Sequence, residues 1–166
     1  LENTYGSRAV SPAPGVNIRL GGEGSITFGP AGNVYWSPDG SMIYAESLSR
    51  SIVAKKASGK GYWQHVMDCP TDNHCGLQSS LSPNGKEIVF ILNDNIWKVN
   101  ATPGSPVRAG IGTPKTRSLR QLTNGKNARE SNPSWSPDGK QVIFVRDGGI
   151  WIMNSDGSEQ TQLTRN

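Results

Sequence analysis

No apolar run in these 166 residues approaches the about 20 needed to cross a bilayer as a helix. The longest, Ile88–Leu92, has the length of a strand. No segment carries a helical apolar period, so helices are not expected. There is no Gly-x-Ser-x-Gly elbow, no Walker A loop, no His-Glu-x-x-His and no Cys-x-x-Cys-His. The common sequence signatures of hydrolase, nucleotide, zinc-protease and haem chemistry are therefore missing. The chain opens at Leu1 without a Met, a basic region or an apolar leader core, and reads as a mature or excised segment. Aromatic residues are only 7%, yet five of them are Trp. A few large anchors, repeated, would account for that bias.

Cysteine is nearly absent. Cys69 and Cys75 flank Pro-Thr-Asp-Asn-His. One reading is a small disulfide loop in an oxidising compartment, which places the chain in the periplasm, on a cell surface or outside the cell. Two free thiols, or a metal site adding His74 and Asp72, are the other readings. Structural zinc sites usually pair two closely spaced ligand couples, and His65 is the only other His, so no metal or cofactor is expected.

Abundant instead are turn formers, with Gly at 20 residues and Pro at 11. They recur in register. Trp36-Ser-Pro-Asp-Gly40, Leu81-Ser-Pro-Asn-Gly85 and Trp135-Ser-Pro-Asp-Gly139 each lie between two strand-forming stretches. Pro sets φ at the first corner, Asp or Asn bonds its own backbone, and Gly accepts positive φ, so each copy predicts a β-hairpin. Asn95-Ile-Trp-Lys-Val-Asn100 then matches Gly149-Ile-Trp-Ile-Met-Asn154, and Gln121-Leu-Thr123 matches Gln162-Leu-Thr164. The first copy is looser. Trp36, Leu81 and Trp135 hold one position where a large side chain can plug between neighbouring sheets; Trp36, Trp97, Trp135 and Trp151 are all read as core. The turns begin at Ser37, Ser82 and Ser136, spacings of 45 and 54 residues. Four short strands per 40–50 residues or so is the period of a propeller blade.

The pattern resembles the WD40-like repeat of TolB-type propellers. It is carried best by Asn132–Thr164, well by Ser79–Thr123 and partly by Val34–Met67. The resemblance implies an all-β propeller of four-stranded antiparallel blades, about three to four of them here, in a partial or multichain ring. The expected blades are residues 31–67, 76–123 with an insertion over 101–118, and 131–166, after an N-terminal extension or partial blade at 1–30. Three blades do not close a ring, so self-association or other chains completing the propeller are expected.

Function is open at this level, because propellers host unrelated activities. The leading expectation is a noncatalytic module that recognises a protein or peptide through loops on one propeller face. The candidate residues are Asp72, His74, Arg129, Glu130, Arg146 and Asp147. A second reading is an anionic polysaccharide ligand or a surface-structural role. It would use Trp63 as a sugar platform and the basic stretch from Lys98 to Arg129, which contains no acid. The third is the propeller domain of a peptidase-like enzyme whose catalytic domain is absent. Nucleic acid is not expected, since no aromatic residue follows Trp97 within the basic stretch.

Overall fold

The computed structural model describes residues 16–20, 24–28, 33–47, 51–69, 75–104, 119–125 and 128–164. A hairpin, β1 (Val16–Leu20) with β2 (Gly24–Phe28), precedes three four-stranded antiparallel sheets. Sheet one contains β3 (Val34–Trp36), β4 (Met42–Glu46), β5 (Ser51–Lys56) and β6 (Gln64–Asp68) in chain order. Sheet two contains β7 (Cys75–Leu81), β8 (Glu87–Leu92), β9 (Asn95–Asn100) and β10 (Arg120–Gln121). Sheet three contains β11 (Glu130–Trp135), β12 (Gln141–Arg146), β13 (Gly149–Asn154) and β14 (Thr161–Gln162). No helix is present among the described residues.

The first hairpin of each sheet is built by its Ser-Pro-Asp/Asn-Gly turn. In sheet one the Ser37 hydroxyl donates to Asp39 Oδ1 at 2.5 Å and accepts from the Met42 amide at 2.9 Å. The Gly40 amide donates to the Ser37 carbonyl at 2.9 Å, with Gly40 at φ 69°. Ser82 with Asn84, and Ser136 with Asp138, make the same bonds. The turns also stack. A Cβ on Gly85 would sit 3.2 Å from Pro38 Cδ, and one on Gly139 would sit 3.6 Å from Pro83 Cδ. A residue kept small for its own φ thus also leaves room for the preceding turn's proline.

The acidic turns should feel pH where the amide turn does not. Hydrogen bonds from Ser37, then from the Ser41 amide, lower the Asp39 carboxyl to about 2. Bonds from Ser136 and the Lys140 amide lower Asp138 in the same direction. A carboxyl depressed in the fold favours folding above its unfolded value near 3.9, and that contribution fades as pH falls through the folded value. Between about pH 4 and pH 2, the amide protons of Ser41 and Lys140 should therefore shift in NMR spectra. The Lys86 amide, bonded to neutral Asn84 at 3.0 Å, should stay still. Equal movement of all three would refute the carboxylate origin.

Two apolar layers lie between the sheets. Tyr44, Ile52, Ala54, Val66 and Met67 of sheet one pack on Ile88, Phe90, Leu92, Val99 and Ala101. Val89, Ile91, Ile96 and Leu122 of sheet two pack on Trp135, Val142, Phe144 and Met153. Strand β8 therefore buries both faces, and Ile88 through Leu92 are all at most 5% exposed. In β12 only alternate residues are buried, Val142 and Phe144. Trp135 is the plug that its position predicts: it is 9% exposed, and its indole N–H donates to the Ser80 carbonyl at 3.1 Å. Trp36, at the same repeat position, corrects the core reading. It is 62% exposed and takes no part in the cluster between sheets one and two.

Candidate functional site

Polar groups concentrate at the junction of sheets two and three. The Asn93-Asp94 turn has φ of 51° and 58°, and the Asp147-Gly148 turn has 49° and 80°. Both are thus of the tight kind that matches strand twist. They stand at one end of the two sheets, with Gly125, Arg129 and Glu130 bonded to them. The Gly125 amide donates to Asn95 Oδ1 at 3.0 Å, and the Glu130 amide to the Asp94 carbonyl at 3.1 Å. The Arg129 amide donates to Asp147 Oδ1 at 3.0 Å, and the Asp147 amide returns a bond to the Arg129 carbonyl at 3.2 Å. The side chains of Arg129 and Asp147 stay exposed on this rim.

Glu130 and Arg146 occupy the junction itself. Glu130 is 3% exposed. Its Oε1 accepts from Arg146 Nε at 2.9 Å and from Nη2 at 2.6 Å. Its Oε2 accepts from the Ile96 amide at 3.1 Å and from the Thr123 hydroxyl. One carboxylate thus ties the start of sheet three to the third strand and final segment of sheet two. The Arg146 guanidinium lies 4.6 Å from the Trp151 ring centroid and 5.1 Å from that of Phe144, and Nη2 also donates to Gln160 Oε1 at 2.6 Å. These two residues were expected as ligand-contacting groups; the structure makes them the internal brace of the junction.

Beside that brace is an open cleft of about 500 Å³, lined by residues 121–125, Arg146 and Gln160. Gln121, Asn124 and Gln160 present amide groups at its surface, all three exposed. Sequence reasoning did not single out these three. Gln121 does belong to a repeated Gln-Leu-Thr, but Gln160 reaches the cleft only because sheets two and three are in contact.

A second buried carboxylate joins sheets one and two. Glu46 Oε1 accepts from the Ser79 amide at 2.6 Å and its hydroxyl at 2.5 Å, and Oε2 accepts from the Asn33 amide at 3.1 Å. The phenol of Tyr35 bonds Ser79 Oγ at 3.0 Å, and burial pushes its pKa up. Asp68 pairs with His65 Nδ1 at 3.0 Å. Burial alone would raise the Asp68 carboxyl, but the bonds from His65 and Ser51 outweigh it and its pKa is lowered.

The other expectations divide. Asp72 and His74 lie outside the described residues, as do residues 105–118 and 126–127 of the basic stretch. The metal reading rests on Asp72, His74 and the Cys75 side chain, which is likewise not described. Lys98 pairs with Glu87 at 2.9 Å and donates to the Ser155 carbonyl at 3.1 Å, while Arg120 donates to the Asp156 carbonyl at 3.2 Å. These two cations hold sheet three's final turn. Trp63 corrects the sugar-platform reading: it is 8% exposed, with Lys55 Nζ 6.0 Å from the ring centroid. Its neighbour Tyr62 is 57% exposed.

The model of the dipeptidyl peptidase IV N-terminal region matches residues 110–166. Among solved structures the chain is similar to an oligogalacturonate lyase in complex with manganese. That match has TM-score 0.64 and 15% identity, and covers 84% of this chain and 42% of the lyase. It is also similar to TolB from Acinetobacter baumannii, with TM-score 0.57 and 23% identity, covering 80% of this chain and 32% of that one. Dipeptidyl peptidase 4 from Porphyromonas gingivalis matches with TM-score 0.54 and 21% identity, covering 82% of this chain and 20% of the peptidase. The chain spans less than half the length of each. At such identities the likeness is one of fold: the chain is all-β, with the four-stranded antiparallel blades of a propeller.

Proposed function

We propose that this chain is a noncatalytic binding module that recognises a protein or peptide at the junction of its second and third blades. The supporting observation is the cleft of about 500 Å³ beside a rigid, buried brace. Its side-chain amides both donate and accept hydrogen bonds and its guanidinium donates them, as an extended peptide backbone requires. Among the described residues, several carboxyl groups are tied into the scaffold: Glu46 and Glu130 between blades, Asp39, Asp138 and Asp156 in turns, and Asp68 on His65. The exposed rim residues Arg129 and Asp147 would set charge preference. Burial of Trp63 counts against a sugar platform.

A random-peptide library selected on the immobilised chain tests this. Enriched peptides should bind at least about tenfold more weakly to a Gln121→Ala, Asn124→Ala double variant, a loss of about 1.4 kcal/mol. Undiminished binding would remove the cleft from the proposal. Failure to enrich peptides, together with salt-sensitive binding on a glycan array, would favour the polysaccharide reading.

The Cys69–Cys75 disulfide and an extracytoplasmic location belong to the same proposal. Cys69 packs against the core between the first two sheets, Cys75 opens β7 opposite Leu92, and no cysteine among the described residues is free. The unreduced chain should resist thiol alkylation, and reduction should lower its stability by about 2–3 kcal/mol on the chain-entropy model. Ready alkylation without reductant would refute the bond.

A further inference from the structure

Arg146 ends β12 and faces two ways. One edge of its guanidinium, Nε and Nη2, is committed to Glu130 Oε1. Nη2 also donates to Gln160 Oε1 at 2.6 Å. The remaining nitrogen, Nη1, has no hydrogen-bond partner among the described residues. Every buried side-chain nitrogen and oxygen among those residues does have a partner. Nη1 therefore reaches solvent, and the open space that Arg146 lines is the cleft. The Trp151 and Phe144 rings beside the guanidinium hold this donor in place.

The groups around it define what fits. Asn124 is exposed, and its side-chain amide makes no hydrogen bond among the described residues, so it is free both to donate and to accept. Gln121 Nε2 donates to the Thr123 carbonyl at 2.7 Å, which leaves Gln121 Oε1 as an acceptor. The cleft thus sets one held donor beside two side-chain acceptors. Gln160 shows from within the chain what the outer edge of Arg146 takes. Its amide oxygen accepts from Nη2, and its Nε2 donates to the Gly157 carbonyl at 3.0 Å.

We infer that Arg146 Nη1 is the anchoring donor of the cleft, and that the ligand group it takes is an uncharged amide carbonyl whose N–H is answered by Asn124 or Gln121. The inference rests on the reading of the cleft as a peptide site. A carboxylate matches the same groups less well, for two reasons. Glu130 already balances the charge of Arg146, so a second anion on that guanidinium would stand close to a buried like charge. A carboxylate also has no proton to offer the Gln121 oxygen, whereas a peptide unit presents both a carbonyl and an N–H. Arg146 thus braces the junction with one edge and binds with its remaining nitrogen.

NMR titration of the isotope-labelled chain with two probes tests this. One probe is acetyl-tetraglycine amide, which is uncharged; the other is the same peptide with a free C-terminal carboxylate. The uncharged probe should shift the Arg146 Nε–H signal and the side-chain NH2 signals of Asn124 and Gln160. The carboxylate form should bind within about threefold of it, since its extra charge gains little at a balanced site. Arg146→Lys keeps a cation for Glu130 but loses the planar fork, so it should weaken the uncharged probe at least about tenfold. The comparison of probes on the unaltered chain stands even if that variant folds poorly. Silence of the Arg146 signal with both probes would overturn the inference, as would unchanged binding to Arg146→Lys. A carboxylate form bound more than about threefold tighter, with the advantage fading in salt, would make this an anion site instead. Library peptides that need Gln121 and Asn124 but not Arg146 would keep the peptide site and overturn this assignment alone. Probe binding at Arg146 with no enriched peptides would do the reverse.

Discussion

Replacing Glu130 with Ala should destabilise the chain by about 3–5 kcal/mol, the cost of leaving a buried charge without its partner. The Glu130 side chain has no solvent exposure and that of Arg146 has 15%. The carboxylate answers two donors of Arg146, the Ile96 amide and the Thr123 hydroxyl. Removing it leaves the Arg146 guanidinium without its carboxylate, held by Gln160 and the two rings, and leaves the Ile96 amide with Thr123 as its side-chain partner. Urea unfolding measures the effect, and a lower midpoint at unchanged slope is expected. A Glu130→Leu, Arg146→Leu pair should recover most of the loss, since apolar replacement of both partners is often neutral or stabilising. A single-variant loss below about 1 kcal/mol would show that the brace is incidental. The outcome bears on the proposed binding role, because the brace holds one wall of the cleft.

The second large effect contrasts two isoleucines at one repeat position. Ile96→Ala should cost about 2–5 kcal/mol, the range for large-to-small changes in a packed core. Ile150→Ala should cost well under half as much, because 44% of that residue is already exposed. Ile96 sits between β9 and the third blade with no exposed surface, so its truncation leaves a cavity that strands on both sides must hold open. Equal losses at the two sites would mean that the outer face of blade three is covered within the single chain.

The turns were the most legible part of the fold. Ser-Pro-Asp-Gly acts through bonds within six residues, such as Ser37 to Asp39 and Met42, so its chemistry is local and survives any tertiary context. Strand and sheet content followed from those turns and the strand formers around them. The candidate site was less legible. Charged residues near the expected face were named, yet Glu130 and Arg146 bond each other. Ion pairing depends on which strands are neighbours, and Glu130 and Arg146 lie across β11 and β12 in register. The repeated Gln-Leu-Thr includes Gln121 without marking it as a cleft residue, and Asn124 and Gln160 have no local pattern, because their juxtaposition comes from two blades meeting.

What the sequence alone determined is the repeating unit: the turn, the four strands and the positions of large apolar side chains. These depend on φ preferences and period-two patterning, which act over a few residues. Only the tertiary structure decided which of those apolar positions are interior. Trp36 and Trp135 occupy the same place in the repeat, as do Ile96 and Ile150, yet one of each pair is buried and the other exposed. Burial is a property of the neighbouring sheet, and a repeat carries no local mark of whether a neighbour stands beside it.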